Sequence, residues 1–104
     1  MLTVTGPGGK VDLTRAQLEG LNQVQLSNRG NRGPRLRDVL ALAKVTSYST
    51  VTAKGLTIDT LTRDQIDDLT TIVDFTNHGT LKVASEIIPK IKWVKDVTII
   101  EVTP

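Results

Sequence analysis

Residues 2–5 alternate apolar and polar side chains, Gly6-Pro7-Gly8-Gly9 follows, and residues 10–13 resume as a second short strand. That pattern predicts an opening β-hairpin. In Thr14-Arg15-Ala16-Gln17 a threonine precedes a glutamine by three positions, a capping box that predicts a short helix over 14–20. Residues 24–26 read as a brief strand ahead of an arginine- and glycine-bearing segment. Pro34 suits the first turn of a helix, where its missing N–H has no partner to lose. Leu36, Val39, Leu40 and Ala43 then fall at i, i+3, i+4 and i+7, one apolar helical stripe ending near Lys44.

Loose alternation over 45–53 predicts a strand, Lys54-Gly55 a turn, and 56–61 another strand. Thr62-Arg63-Asp64-Gln65 repeats the capping box and opens a helix through residue 68. Two copies of one cap are the same local solution to starting a helix after a strand, not a repeat architecture. Residues 71–76 and 80–85 flank Asn77-His78-Gly79, a hairpin whose glycine takes the left-handed position. After Pro89, residues 93–102 read as one long closing strand. The expectation is an α+β domain over residues 1–104, with a strand-rich mixed sheet core and two or three short helices.

Composition agrees with that class. Trp93, Tyr48 and Phe75 are the only aromatic residues, so Val, Ile and Leu must build the core. The absence of cysteine excludes disulfides, a thiolate metal site and a cysteine nucleophile. No apolar run approaches the roughly 18 residues of a membrane-spanning helix. The first ten residues lack the charged-then-apolar order of a signal segment, which implies a cytoplasmic protein, or an extracytoplasmic one already processed.

The net charge of +2 does not by itself argue for a nucleic-acid partner. Its distribution is uneven. Residues 27–58 carry six basic groups against the single acid Asp38, whereas 59–74 carry five acids against Arg63. Arg29, Arg32, Arg35 and Arg37 lie on a glycine-rich approach to a helix, a natural anion or partner contact, and equally a solvated loop. No G-x-x-x-x-G-K-[ST] sequence is present, and no aromatic platforms accompany the arginines to stack bases. Nucleic acid is therefore the alternative, not the leading expectation.

Catalytic candidates are few. The only histidine, His78, sits in a predicted turn, and no sequence context places a serine or threonine beside it as a nucleophile. Asp64, Asp67, Asp68, Asp74 and His78 match neither calcium-loop nor zinc spacing. Trp93, on a predicted strand, reads as core or sheet-surface packing.

Several segments, in order, resemble the molybdopterin-binding domain of sulfite oxidase-type oxidoreductases. Gly33-Pro34-Arg35-Leu36-Arg37-Asp38-Val39-Leu40-Ala41-Leu42-Ala43 is similar to that family's G-v-P-L-r-D-l-L-x-x-A, with Arg35 inserted. LTRAQLEGLNQV resembles its lt-x-x-x-L-x-x-l-p-x-v. His78-Gly79-Thr80-Leu81-Lys82-Val83 is similar to H-G-x-P-l-R-v, one residue shorter and with lysine for arginine. Ile88-Pro89 and the segment from Lys92 to Val102 resemble the family's closing v-P … v-K-W-v-x-x-v-x-x-I-e-v.

The resemblance implies an α+β domain in which His78, Lys82 and Lys92 occupy positions that help hold the pterin. The family's metal-ligating cysteine has no counterpart here, and its loop between the proline and the Lys-Trp pair shrinks to Lys90-Ile91. The implied protein is a non-catalytic, stand-alone relative without a molybdenum cofactor, binding a small anion or a protein partner. Pterin without metal ligation is the residual cofactor option. A third class, a small enzyme, requires a pocket that joins His78 to a carboxylate or hydroxyl. Homodimerisation through a strand edge is a further expectation, with the closing strand as the edge.

Overall fold

Alternation of side chains across a strand sorts this chain into one buried and one open sheet face. The computed structural model describes residues 1–27 and 30–104, and Arg29 lies outside the described residues. The first hairpin pairs β1 (Leu2–Gly6) with β2 (Gly9–Leu13). β5 (Thr50–Lys54), β6 (Ile58–Thr62) and β10 (Ile99–Thr103) complete a five-stranded sheet in the order β2-β1-β10-β5-β6. β1 and β10 run parallel and the other pairs antiparallel, so the sheet is mixed.

Leu2, Val4, Leu13, Val51, Ala53, Leu61, Ile100 and Val102 form the buried face of that sheet. The opposite face is rich in threonine, a β-branched residue that favours strands while offering a hydroxyl to water. Cross-strand partners stitch it together. Thr52 and Thr60 share a hydroxyl hydrogen bond of 3.0 Å, and Lys54 Nζ meets Glu101 Oε2 at 2.9 Å.

Against the buried face pack three short helices, α1 (Arg15–Glu19), α2 (Leu36–Leu42) and α3 (Arg63–Asp67). Both capping boxes form as the sequence predicts: Gln17 N donates to Thr14 Oγ1 at 3.2 Å and Gln65 N to Thr62 Oγ1 at 3.3 Å. The apolar stripe of α2 is buried, with Leu36, Val39 and Leu40 fully enclosed.

Pro34 is not in the first helical turn. It ends β4 (Arg32–Pro34), which pairs with β3 (Gln23–Gln25), and Arg35 is the extended residue that caps α2. Strand pairing captured the proline because the residue after it, not the proline, turns the chain: Arg35 bridges Ile72, and Leu36 N donates to Thr71 O at 2.8 Å.

A second, three-stranded sheet comprises β7 (Ile72–Phe75), β8 (Leu81–Ala84) and β9 (Val94–Lys95). Gly79 holds φ at 77° in the β7–β8 turn, as its sequence context predicts. The expected long strand over 93–102 is instead two strands in two sheets. Asp96 takes a left-handed φ of 53° between them, so β9 stays on β8 while β10 swings into the large sheet. There β10 lies centrally, with both edges paired, and offers no free edge for dimerisation. The free strand edges of the large sheet belong to β2 and β6. The expected strand over 45–53 likewise contracts to β5, because 45–49 serve as the connection out of α2.

Beneath β3 and β4 lies a small satellite core of Leu26, Ile72 and Ala84, against which Val24 and Trp93 pack. Trp93 also packs on the main core, and its indole N–H donates to Ser85 O at 3.2 Å and Ile88 O at 2.9 Å. It is a packing residue, as a lone aromatic at that place should be. Among the described residues no helix is long and apolar enough to cross a membrane.

Candidate functional site

The registers of the small sheet set Asp74, Lys82 and Lys95 side by side on one rung across β7, β8 and β9. Their neighbours Val73, Val83 and Val94 form the next rung and turn into the main core. This alternation leaves a row of charge facing a cleft of about 360 Å³. The β7–β8 turn supplies His78 and Asn77 to its wall, Thr76 and Thr80 flank them, and Leu56 and Asp96 close the far side. The volume lies within the roughly 300–1,000 Å³ typical of small-molecule sites.

Asp74 is the buried member, 5% exposed. Its Oδ1 accepts the Arg32 N–H at 3.2 Å, and its Oδ2 lies 3.7 Å from Lys82 Nζ. Lys82 Nζ in turn stands 5.7 Å from the centre of the Trp93 ring, a cation–π distance. Lys95 is exposed and makes no ion pair with a described residue. Its charge is therefore available to a ligand, whereas that of Lys82 is shared with Asp74.

Burial raises the Asp74 carboxyl above its ordinary 3.8, and the Arg32 hydrogen bond and the Lys82 charge pull it partly back. A carboxyl whose pKa is raised by folding holds its proton more tightly in the fold than in the unfolded chain. The stability it contributes is fully present below the unfolded value and declines as pH rises through the folded one. Denaturation of the parent and of Asp74→Asn from about pH 3 to 7 should show the parent losing stability relative to the variant over that rise. A pH-independent difference between them would contradict the assignment.

The sequence-predicted residues separate into distinct places. His78 and Lys82 share the cleft, but Lys92 sits exposed on the 3-10 turn Lys90–Lys92 and does not line it. Arg32 reaches the cleft's border through its backbone, while Arg35 Nε donates to Leu69 O at 3.2 Å. Arg37 lies on the exposed side of α2, near Tyr48. None of the described arginines lines the cleft.

Nor do the acids gather. Tyr48 donates its hydroxyl to Asp67, Asp68 accepts from Thr70 N at 2.8 Å, and Asp74 faces the cleft. Among the described residues no three His, Asp or Glu side chains are grouped to hold a metal. The Tyr48 hydroxyl is pushed above its usual range, first by burial and then by its bond to Asp67.

Sequence reasoning missed Lys95, and it weighed Asp74 only as a metal ligand. The signal for Asp74 was visible: one acid within the apolar run Thr71-Ile72-Val73-Asp74-Phe75. Lys95 had none, because its place beside Lys82 follows from a register between segments far apart in the chain.

The fold and cleft define a strand-rich α+β protein with a polar small-molecule-sized recess. No protein-family model matches the chain, and no curated protein matches it either.

Proposed function

We propose that this chain is a non-catalytic binding module, of sulfite oxidase-type molybdopterin-domain ancestry, that takes a small anionic ligand in the cleft of the three-stranded sheet. The observation that carries the reading is the Asp74–Lys82–Lys95 rung with His78 at its rim. Asp74 holds Lys82 in place, and Lys95 presents an unshared ammonium, so an anion gains a charge-assisted contact without first breaking an ion pair.

The residues do not fit a molybdenum cofactor. The thiolate that the resemblance requires is missing from the sequence, and of the three pterin-position residues only His78 and Lys82 share the cleft. An apo-pterin fits better than a metal centre, because its contacts require donors and a recess but no metal ligand. The arginine-based polyanion reading is less well supported, since none of Arg32, Arg35 and Arg37 lines the cleft and Arg35 donates to Leu69 O.

Amide NMR titration with inorganic pyrophosphate and with pterin-6-carboxylate tests the proposal. Saturable shifts at Thr76, His78, Thr80, Lys82 and Lys95 are expected, with Lys95→Gln weakening binding roughly fivefold, the size of one exposed charge-assisted contact. Folded protein that responds to neither probe overturns the ligand assignment. Stoichiometric molybdenum and pterin in protein purified from its native source would overturn the non-catalytic reading. Tight, salt-sensitive binding of duplex DNA would favour the arginines instead.

A further inference from the structure

A second cleft, about 440 Å³, shares no lining residue with the one above and lies beyond the opposite end of β10. It opens between the β1–β2 turn, the end of β10 and the connection leaving α2. Val11, Val45 and Val102 give it apolar walls, Thr5, Thr46 and Ser47 add hydroxyls, and Lys10 and Lys44 bring two cations. No acidic side chain lines it, and neither lysine forms an ion pair with a described residue.

Lys44 supplies an independent observation. Helix α2 ends in a Schellman arrangement: Val45 N donates to Leu40 O at 2.9 Å and Lys44 N to Ala41 O at 3.0 Å. This motif requires a left-handed residue, and Lys44 fills that place with φ of 65°. Glycine is the residue that adopts this conformation without cost, and a lysine there gives up stability. An exposed lysine on a backbone conformation that glycine would adopt more cheaply thus places a cation on the wall of a cleft that has no acidic side chain.

We propose that this cleft binds a small amphipathic monoanion, a carboxylate bearing a short alkyl tail. The tail lies along Val11, Val45 and Val102, and Lys44 and Lys10 hold the carboxylate at the rim. The proposal is independent of the anion site on the three-stranded sheet.

Octanoate, 1-octanol and acetate, titrated into the full chain by amide NMR, test both halves of the recognition. Octanoate should move the signals of Gly8, Val45, Ser47 and Val102 saturably, and octanol and acetate should each bind at least about fivefold more weakly. Lys44→Gly removes charge and strain together. It should raise the melting temperature by roughly 4 °C while weakening octanoate about fivefold, so lost binding is not lost folding. Lys10→Gln should weaken octanoate similarly with the backbone unaltered. No saturable response up to about 10 mM, octanol binding as well as octanoate, or unchanged affinity in both variants overturns the proposal. A Lys44→Gly protein no more stable than the parent also counts against it, because the strain argument then fails.

Discussion

Gly33→Ala should cost about 3 kcal/mol or more and lower the melting temperature by on the order of 15 °C. A Cβ at this position would stand 2.0 Å from Val73 O, 2.7 Å from Val73 C and 3.0 Å from Asp74 Cα. All three are backbone atoms of β7, so no rotamer change relieves the clash and β4 must move away from β7. That movement also lengthens the Arg32 N–H bond to Asp74, which exposes the buried carboxylate of the cleft rung. Against a total stability of roughly 5–15 kcal/mol for a domain of ordinary stability, a loss of this size leaves little margin. Chemical denaturation, with Gly8→Ala as the control, measures it. A Cβ on Gly8 meets nothing within 4 Å, so that variant should stay within about 0.5 kcal/mol of the parent. A Gly33→Ala protein equally close to the parent would show that β4 does not pack on β7 as described.

Gly55→Ala acts on the other junction. Its Cβ would lie 2.3 Å from Lys95 O and 2.8 Å from both C and O of Asp96, at the place where the two sheets meet. Leu56 N donates to Lys95 O at 2.9 Å and Thr98 N to Lys54 O at 3.0 Å, so the same few atoms fasten β5 to the segment between β9 and β10. The expected loss is about 2 kcal/mol, smaller than at Gly33 because this turn lies at the surface and can shift outward. The shift has a functional signature, since Lys95 and Asp96 both line the small-sheet cleft. Anion binding there should weaken even at temperatures where the variant is fully folded. Wild-type affinity in a destabilised Gly55→Ala protein would separate the cleft from this junction.

What the sequence revealed was local. The threonine–glutamine caps at Thr14 and Thr62, the Gly79 turn and the stripe of α2 each depend on residues within one or two turns of chain. Those features came out as expected. The failures involve contacts between distant segments. Pro34 satisfies the rules for a helix start and equally those for a strand residue that donates no hydrogen bond, and only pairing with Gln23 decided between them. The segment over 93–102 does break its alternation at Lys95-Asp96, two polar residues in succession, but that break alone does not distinguish a surface position from the left-handed turn that Asp96 makes. The same limit applied to the clefts: His78 and Lys82 were adjacent through their hairpin, but Lys95 joined them by register. Lys10 and Lys44 line one cleft from the ends of two elements that no local pattern connects.

The parallel pairing of β1 with β10 has a kinetic consequence. Residues 3–5 find their partners at 99–101, so the middle of the large sheet is its most non-local element. Loop closure across nearly the whole chain must come before that contact gives any return, and topologies of this kind fold slowly for their size. During synthesis β1 and β5 must wait, each with an unfilled edge, until residues 99–103 have emerged to lie between them. The first hairpin, the β5–β6 hairpin and the β7–β8 hairpin rest on local pairing but are at best marginal in isolation, and the strand that unites two of them into one sheet arrives late.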